Sequence, residues 1–370
     1  MIRVRDIDAQ TPQHLASLSK QWRRQEPDIP LTAARSLATS LLRDKFSGRQ
    51  QLFALCSPSG SQTLAHVVAR LSPTVECPSG QPLGMLGFFA AQCPDPVPDL
   101  LSHAMDWLKQ QGATSVVGPM DGDTWHRYRM NSGPWDQQPF LMEPENPSWY
   151  PEAWEAAGFQ VIDRYHSKRL VDLPVAINAT APALERARSA GYRFRRLDMQ
   201  SYEKDLRAIY EISLAAFRDN FLFDEISWEE FQNLYHGARS IVHPGLVWFA
   251  VSPEGQPVGF LFNTIDYWQA VTAMHGRQDV LAKFRFWRNR SRATAVNFKS
   301  IGIRPRHRRQ SLAGALMHLG YQATSDLGYQ RANLCLIRDG NVSSGLDGGV
   351  SQILRRYVLY QSPGSHFPLS

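Results

Sequence analysis

Ile301-Gly302-Ile303-Arg304-Pro305-Arg306-His307-Arg308-Arg309-Gln310-Ser311-Leu312-Ala313-Gly314-Ala315-Leu316 is the stretch on which the fold turns. Its first residues close an apolar strand. Pro305 stops regular pairing, because proline fixes φ and carries no N–H. A short polar loop follows, and the small residues Ser311, Ala313, Gly314 and Ala315 open a helix. Such a junction is an anion site. The first N–H groups of a helix have no intrahelical partner, the helix dipole adds positive potential, and small side chains let a ligand reach the backbone. Arg308 and Arg309 can neutralise phosphates.

Outward from this junction, the hydrophobic period alternates between strand and helix. Upstream lie a strand at Tyr192–Leu197, helices at Tyr202–Phe217 and Ser227–Tyr235, and a hairpin of Leu246–Ser252 and Pro257–Asp266. Ala295–Ile303 is the strand and Arg309–Leu327 the helix of the junction itself; Arg331–Ile337 and Ser351–Tyr360 are strands beyond it. The first half repeats this order. A strand at Arg3–Ile7 precedes helices at Pro12–Arg24 and Pro30–Phe46. Strands at Gln51–Ser57, Thr63–Leu71 and Leu83–Ala91 come next, then a helix at Pro98–Gln111. A strand at Ser115–Gly118, a short helix at Pro151–Ala157 and a strand at Gln160–Leu170 complete it. The expected fold is α/β (α+β): two tandem domains, 1–171 and 183–370, each a mixed, mostly antiparallel sheet flanked by helices. The Pro- and Asn-containing segment Asp172–Pro182 reads as the linker.

The 370 residues are 43% hydrophobic and 20% charged, which is globular composition and excludes a disordered or fibrous chain. No apolar run approaches the ~20 residues of a membrane helix, and the N-terminus has no signal-peptide core. Four scattered cysteines without a CxxC pair give neither a zinc site nor a disulfide framework, so the expectation is a cytoplasmic protein without metal. The net charge of +6 is uneven: residues 1–165 carry 14 basic and 17 acidic residues, residues 166–370 carry 26 and 17. The second half therefore faces something anionic, whether nucleic acid, membrane, an acidic protein or a phosphate-bearing cofactor, and charge alone does not choose among them.

The junction resembles motif A of the GCN5-related N-acetyltransferases (GNATs), an apolar strand with V-x-P followed by [QR]-x-x-G-x-[GA] at a helix start. Ile303-Arg304-Pro305 stands for V-x-P, and Arg308 to Ala313 for the loop, with Ser311 in place of the first glycine. The resemblance implies an acyl-CoA site, for acetyl-CoA or another acyl-CoA. Its pyrophosphate would lie on Arg308, Arg309, Gln310, Ser311, Leu312, Ala313 and Gly314. The pantetheine arm would run along Ile301 and Ile303. Asn341-Val342-Ser343-Ser344 resembles the N-x-x-[AS] segment after the fifth strand of the family, which implies a cofactor contact for Asn341. Many members carry a tyrosine acid seven residues later; here that position is Gly348, and Tyr360 is the substitute candidate.

In the first half, the corresponding segment is Phe88-Phe89-Ala90-Ala91-Gln92-Cys93-Pro94-Asp95-Pro96-Val97-Pro98. Three prolines remove donors and Asp95 repels phosphate, so this copy is expected to be GNAT-like without a CoA site. The chemistry implied is acyl transfer from acyl-CoA to the amine of a small-molecule acceptor. A base must take the ammonium proton. Asp266 is the candidate, with His275 beside it, since the fourth strand offers Asn297 and Lys299 where many members have glutamate. Trp125, His126, Trp149 and Trp154 either line a substrate pocket or fill core.

Between Arg277 and Arg309 there are eleven basic residues and one acid, Asp279, with Phe284, Phe286 and Trp287 interleaved. The favoured reading is a solvated basic helix whose aromatics pack on the core. Docking of an acidic acyl carrier protein as the donor comes next, and nucleic acid last; no membrane partner is expected. The competing view of the whole chain is a GNAT-fold binding module with weak catalysis.

Overall fold

The computed structural model describes residues 2–5, 48–57, 63–76, 80–277, 279–341 and 345–364. The helices expected at Pro12–Arg24 and Pro30–Phe46, and residues Val342–Ser344, lie outside the described residues. The strands and helices found in chain order are β1 (Ile2–Arg5), β2 (Gln50–Cys56), β3 (Thr63–Glu76), β4 (Pro82–Ala91), α1 (Val97–Gln110), β5 (Val116–Gly118), β6 (Met130–Gly133), α2 (Tyr150–Ala156) and β7 (Gln160–Leu170). Then come α3 (Leu173–Ser189), β8 (Arg193–Arg196), α4 (Tyr202–Phe217), α5 (Trp228–Tyr235), β9 (Val247–Val251), β10 (Pro257–Ile265), α6 (Trp268–Thr272) and α7 (Val280–Asn289). β11 (Ala295–Ile303), α8 (Leu312–Asp326), β12 (Arg331–Arg338) and β13 (Ser351–Gln361) complete the list.

The chain folds as two compact units. One comprises Met1–Arg164, Ala270–Arg288 and Arg356–Ser370, the other Tyr165–Gln269 and Asn289–Arg355. These do not coincide with the expected division at residues 1–171 and 183–370. The chain leaves the first unit inside β7, returns to it for Ala270–Arg288, and rejoins it inside β13. A strand's own pattern says that one of its faces is buried, not which sheet it joins. Residues 172–182 are not a linker but the start of α3. Asp172 caps that helix by accepting from Val175 N at 3.1 Å, and Pro174 falls in the first turn, where its missing N–H costs nothing. Pro182 lies inside the same helix.

In the first unit, β1, β2, β3 and β4 pair antiparallel in sequence order, and β4 runs parallel to β5. Residues Tyr360 and Gln361 of β13 pair antiparallel with β5, and Arg356–Val358 with β6. Helix α1 places Leu100, Leu101, Ala104 and Leu108 at helical spacing into a core that includes Phe89, Trp154, Phe159 and Tyr360. Trp154 is thus core, not pocket lining.

In the second unit, β8, β9, β10 and β11 are antiparallel neighbours, β11 is parallel to β12, and β12 is antiparallel to Tyr165–Leu170 of β7. Within each unit the strand pairing is mixed and mostly antiparallel, as expected. Helices α3 and α8 pack along each other, and α8 covers β9, β10, β11 and β12. Their core joins Leu184 and Ala187 of α3 to Leu312, Ala315, Leu316 and Tyr321 of α8 and to Leu261, Val296 and Phe298 of the sheet. Helix α4 packs on β10 and β11. Among the described residues, no helix is long and apolar enough to cross a membrane.

Candidate functional site

The junction after β11 is held from three sides. Arg304 N donates to Val258 O at 2.8 Å, which keeps the strand end on β10. Pro305–His307 form one 3-10 turn, and the His307 ring is fixed by the Tyr192 hydroxyl, 2.9 Å from Nδ1. Arg308 Nη2 donates to Ala216 O at 2.7 Å, in the last turn of α4, where the helix dipole favours a cation. Arg308 is therefore first of all a tie between loop and helix, while Arg309 and Gln310 point into exposed positions beside it.

The backbone then turns left-handed twice, at Arg309 (φ 67°) and Ser311 (φ 57°). Ser311 thus adopts the conformation for which a glycine is usually chosen. A left-handed residue followed by a helical one, as at Ser311 and Leu312, points successive N–H groups into one concavity, the geometry that cradles anions. The Ser311 side chain makes no cap bond to α8; its Oγ accepts from Arg186 Nε at 3.1 Å instead. The N–H groups of the first turn of α8 are thus left without a side-chain cap, the condition under which a helix start accepts an anion. Ala313 is half-buried in that turn. Gly314 is buried, and a Cβ there would sit 2.7 Å from Ala183 Cβ, so its smallness lets α8 close on α3.

Behind the loop, two parallel strands part. β11 and β12 are in register only from Ala295↔Arg331 to Phe298↔Leu334. Beyond that pair β11 stays with β10 as far as Gly259↔Ile303, with a bulge in the register between Phe262 and Asn263. β12 instead follows β7, its register shifting between Leu334 and Ile337, with Leu336 at φ 58° and its N–H donating to Ser167 Oγ at 2.9 Å. The result is a V with its vertex at Phe298 and Leu334 and one arm formed by Lys299–Ile303. Ile301 and Ile303 lie on that arm, both half-buried against the core.

Polar groups gather beside the vertex. Asn333 Nδ2 donates to Asn297 Oδ1 at 2.8 Å and reaches Asp266 Oδ2 at 3.5 Å, and Arg169 Nε donates to Asn333 Oδ1 at 3.1 Å. Asn297 and Asn333 are fully buried, and Asp266, just past the end of β10, is half-buried. Asn263 is also fully buried, and neither of its amide atoms has a partner among the described residues. A buried amide left unpaired is costly, so this row marks a place where packing has been subordinated to something else.

The other expected site residues have surroundings of their own. Tyr360 is completely buried in the first unit, where its hydroxyl donates to Glu155 Oε1 at 3.0 Å, and burial pushes its phenol far above the usual range. That is the environment of a core tyrosine holding its proton. Asn341 is exposed in the turn after β12, its N–H donating to Arg338 O at 3.1 Å. Gly348 has φ 64°, and a Cβ there would lie 3.1 Å from Ala179 Cβ, so no tyrosine fits. His275, at φ 49°, is exposed. Trp125 and His126 belong to a turn in which Asp123 Oδ1 accepts from both of their N–H groups.

The first unit has the same parted strands, but its own chain fills them. β4 and β5 are in register only at Gly84↔Val116 and Met85↔Val117. Past this, Met120 N donates to Leu86 O at 2.9 Å, and the Asp121 carboxylate accepts from Phe88 N at 2.6 Å and Arg127 Nε at 3.2 Å. The carbonyl of Asp121 accepts from the buried Arg70. Gly87 is required there: a Cβ would stand 2.3 Å from Met120 O. The helix start is also poor in donors, since Val97 N is spent on Pro94 O and Pro98 has none. Arg186, Asn333 and Asp121 carry this contrast, and no motif pointed to them, because their roles depend on strands and helices distant in sequence.

No protein-family model matches the sequence. Over 281 residues it is 22% identical to a bacterial ceramide synthase of Caulobacter vibrioides, covering 73% of this chain and 72% of that protein. Among solved structures, a tandem GNAT protein from the clavulanic acid biosynthesis pathway, solved without AcCoA, matches along the full length of both chains (TM-score 0.51, 11% identity). The GCN5-related glucosamine N-acetyltransferase region of a fungal multi-domain GH3 β-N-acetylglucosaminidase matches 98% of this chain with TM-score 0.54 and 13% identity; this chain spans 38% of that longer one. The chain thus has the tandem GNAT fold.

Proposed function

On that fold we propose that the second unit is an acyl-CoA-dependent N-acyltransferase site. The parting of β11 from β12 beside the uncapped, left-handed start of α8 carries the reading. The same feature is plugged by Asp121 in the first unit, where the charge and the prolines oppose phosphate. The residues fit the co-substrate: N–H groups of Ser311, Leu312 and Ala313 with Arg309 and Arg186 for phosphate, and the Lys299–Ile303 arm for an extended chain. Acyl-CoA supplies an activated thioester. The amine forms a bond to its carbonyl carbon, the carbon–sulfur bond breaks, and CoA leaves as thiolate, which takes up the amine's second proton to become the thiol. Asp266 takes the ammonium proton, directly or through water, and Asn333 orients its carboxylate. Backbone N–H groups of the parted strands polarise the carbonyl.

Similarity to a ceramide synthase supports an acceptor class: an amine at the head of a long-chain amino alcohol, since ceramide is the N-acyl product of such a base. The test is titration calorimetry of the full chain with acetyl-CoA, followed by thiol release with a long-chain amino alcohol. Saturable binding, weakened at least about tenfold in Arg309→Glu by loss of a charge-assisted phosphate contact, is expected. No heat, or unchanged affinity in that variant, overturns the site.

A further inference from the structure

Helix α7 is amphipathic the wrong way round for a soluble surface. Its buried side is Ala282, with Arg285, Phe286 and Asn289 half-covered. Its outer side carries Val280 (85% exposed), Phe284 (55%), Trp287 (61%) and, next to them, Leu281 (50%). Positions 280, 284 and 287 follow i, i+4, i+7, so they form one stripe along the helix. Lys283 and Arg288 flank it on opposite sides and are exposed, as are Arg290 and Arg292 in the turn that follows. The single acid, Asp279, is spent: its Oδ2 holds Arg277 Nε at 2.6 Å and its Oδ1 caps the helix at Ala282 N, 2.9 Å away. The expectation that these aromatics pack on the core therefore fails for Phe284 and Trp287.

We propose that α7 docks on an anionic lipid surface. A stripe of aliphatic and aromatic tips bounded on both sides by long cationic side chains is the arrangement that lies in a bilayer interface. The apolar stripe enters the acyl boundary, and the lysine and arginine stems reach up to the lipid phosphates. Charge complementarity selects anionic headgroups, and with the acid neutralised nothing on the segment opposes them. This inference stands on the helix alone and does not depend on the acyl-transfer reading.

The test is flotation of the full chain with vesicles of phosphatidylcholine alone and of phosphatidylcholine mixed with phosphatidylglycerol. Wild type is expected to float with the mixed vesicles, less so at high salt, and to stay behind with phosphatidylcholine alone. Phe284→Ser with Trp287→Ser, and separately Lys283→Glu with Arg288→Glu, should each reduce vesicle binding at least tenfold. The thermal unfolding midpoint should hold in both, since all four side chains are exposed. Absence of flotation by wild type overturns the proposal. So does equal flotation of the apolar variant, or a wild type that ignores vesicles but is retained by an acidic acyl carrier protein. The last result assigns α7 to a protein partner.

Discussion

Arg186 Nε donates to Ser311 Oγ at 3.1 Å, joining the last turn of α3 to the left-handed residue that starts α8. One serine does two things there. Its backbone takes a glycine's conformation, and its side chain anchors an arginine beside the helix start. Ser311→Gly removes a left-handed strain of about 1 kcal/mol and loses one exposed hydrogen bond of smaller worth. Urea unfolding should show a variant as stable as wild type or up to about 1 kcal/mol better. Acetyl-CoA affinity should fall, because Arg186 is released. A variant destabilised by more than about 1 kcal/mol would mean that the serine is not strained.

Asp121 fills the space between the parted strands β4 and β5 of the first unit. It is buried and pairs with Arg127, and its carbonyl holds buried Arg70. Asp121→Ala leaves Phe88 N and Arg127 uncompensated, so a loss of about 3 kcal/mol is expected in urea unfolding. Gly87→Ala should be at least as damaging, because the clash is with backbone. If Asp121→Ala instead gained nucleotide binding with little loss of stability, the first unit would be a second, occluded site.

Much of this was legible in the chain. The Ile301–Leu316 junction, the strands and helix from Gln51 to Gln111, and the closing strands at Gln160–Leu170 and Ser351–Tyr360 follow from periodicity and turn residues. The helix at Leu173–Ser189 did not, because Pro174, Asn178 and Pro182 imitate a linker, while the packing that makes the segment helical comes from α8. Tyr360 stood in as the substitute for the acid whose customary place Gly348 occupies. Its burial in the first unit depends on a strand crossing between units, which no local pattern records. The exposed stripe of α7 was equally silent: an apolar helical face looks the same in sequence whether it is covered or bare.

Asp347 gives the second unit a pH-dependent tie. Burial pushes its carboxyl up, but hydrogen bonds from Ser351 and from Gly349 N, and then Lys168 at 3.0 Å, outweigh that and hold it below its usual 3.8. A carboxylate with a lowered folded pKa contributes stability that is fully present above the unfolded value and fades as pH falls through the folded one. Wild type should therefore lose stability more steeply than Asp347→Asn below about pH 4. At neutral pH that variant should be less stable by about 1–3 kcal/mol, with the half-buried Lys168 deprived of this carboxylate. Parallel acid limbs in the two proteins would remove Asp347 from the account.

Gly348 shows why a tyrosine is absent from its customary place. Its φ of 64° and the 3.1 Å approach to Ala179 bar any side chain without displacing α3. Gly348→Tyr is expected to lower stability by more than about 1 kcal/mol and to leave turnover no higher. A gain in turnover at unchanged stability would mean that the glycine segment moves aside and that the missing acid limits the rate.

Asp266 and Asn333 bring the chemistry to a measurable point. Asn333 is held by Arg169 and Asn297 and reaches Asp266 at 3.5 Å, so an asparagine at 266 can keep the network while losing the base. Asp266→Asn should lower kcat about 10²-fold or more, the usual contribution of a positioned base, with acetyl-CoA affinity unchanged. The acid limb of the kcat/KM profile should flatten at the same time, since that limb reports the carboxylate's protonation. Asn333→Ala should act more weakly on kcat and displace the limb instead of flattening it, because it removes orientation and leaves the base. Turnover within about threefold of wild type in Asp266→Asn would assign proton removal to another group or to solvent. The asparagine row would then be a structural feature of the parted strands, with the acyl-CoA site standing on calorimetry alone.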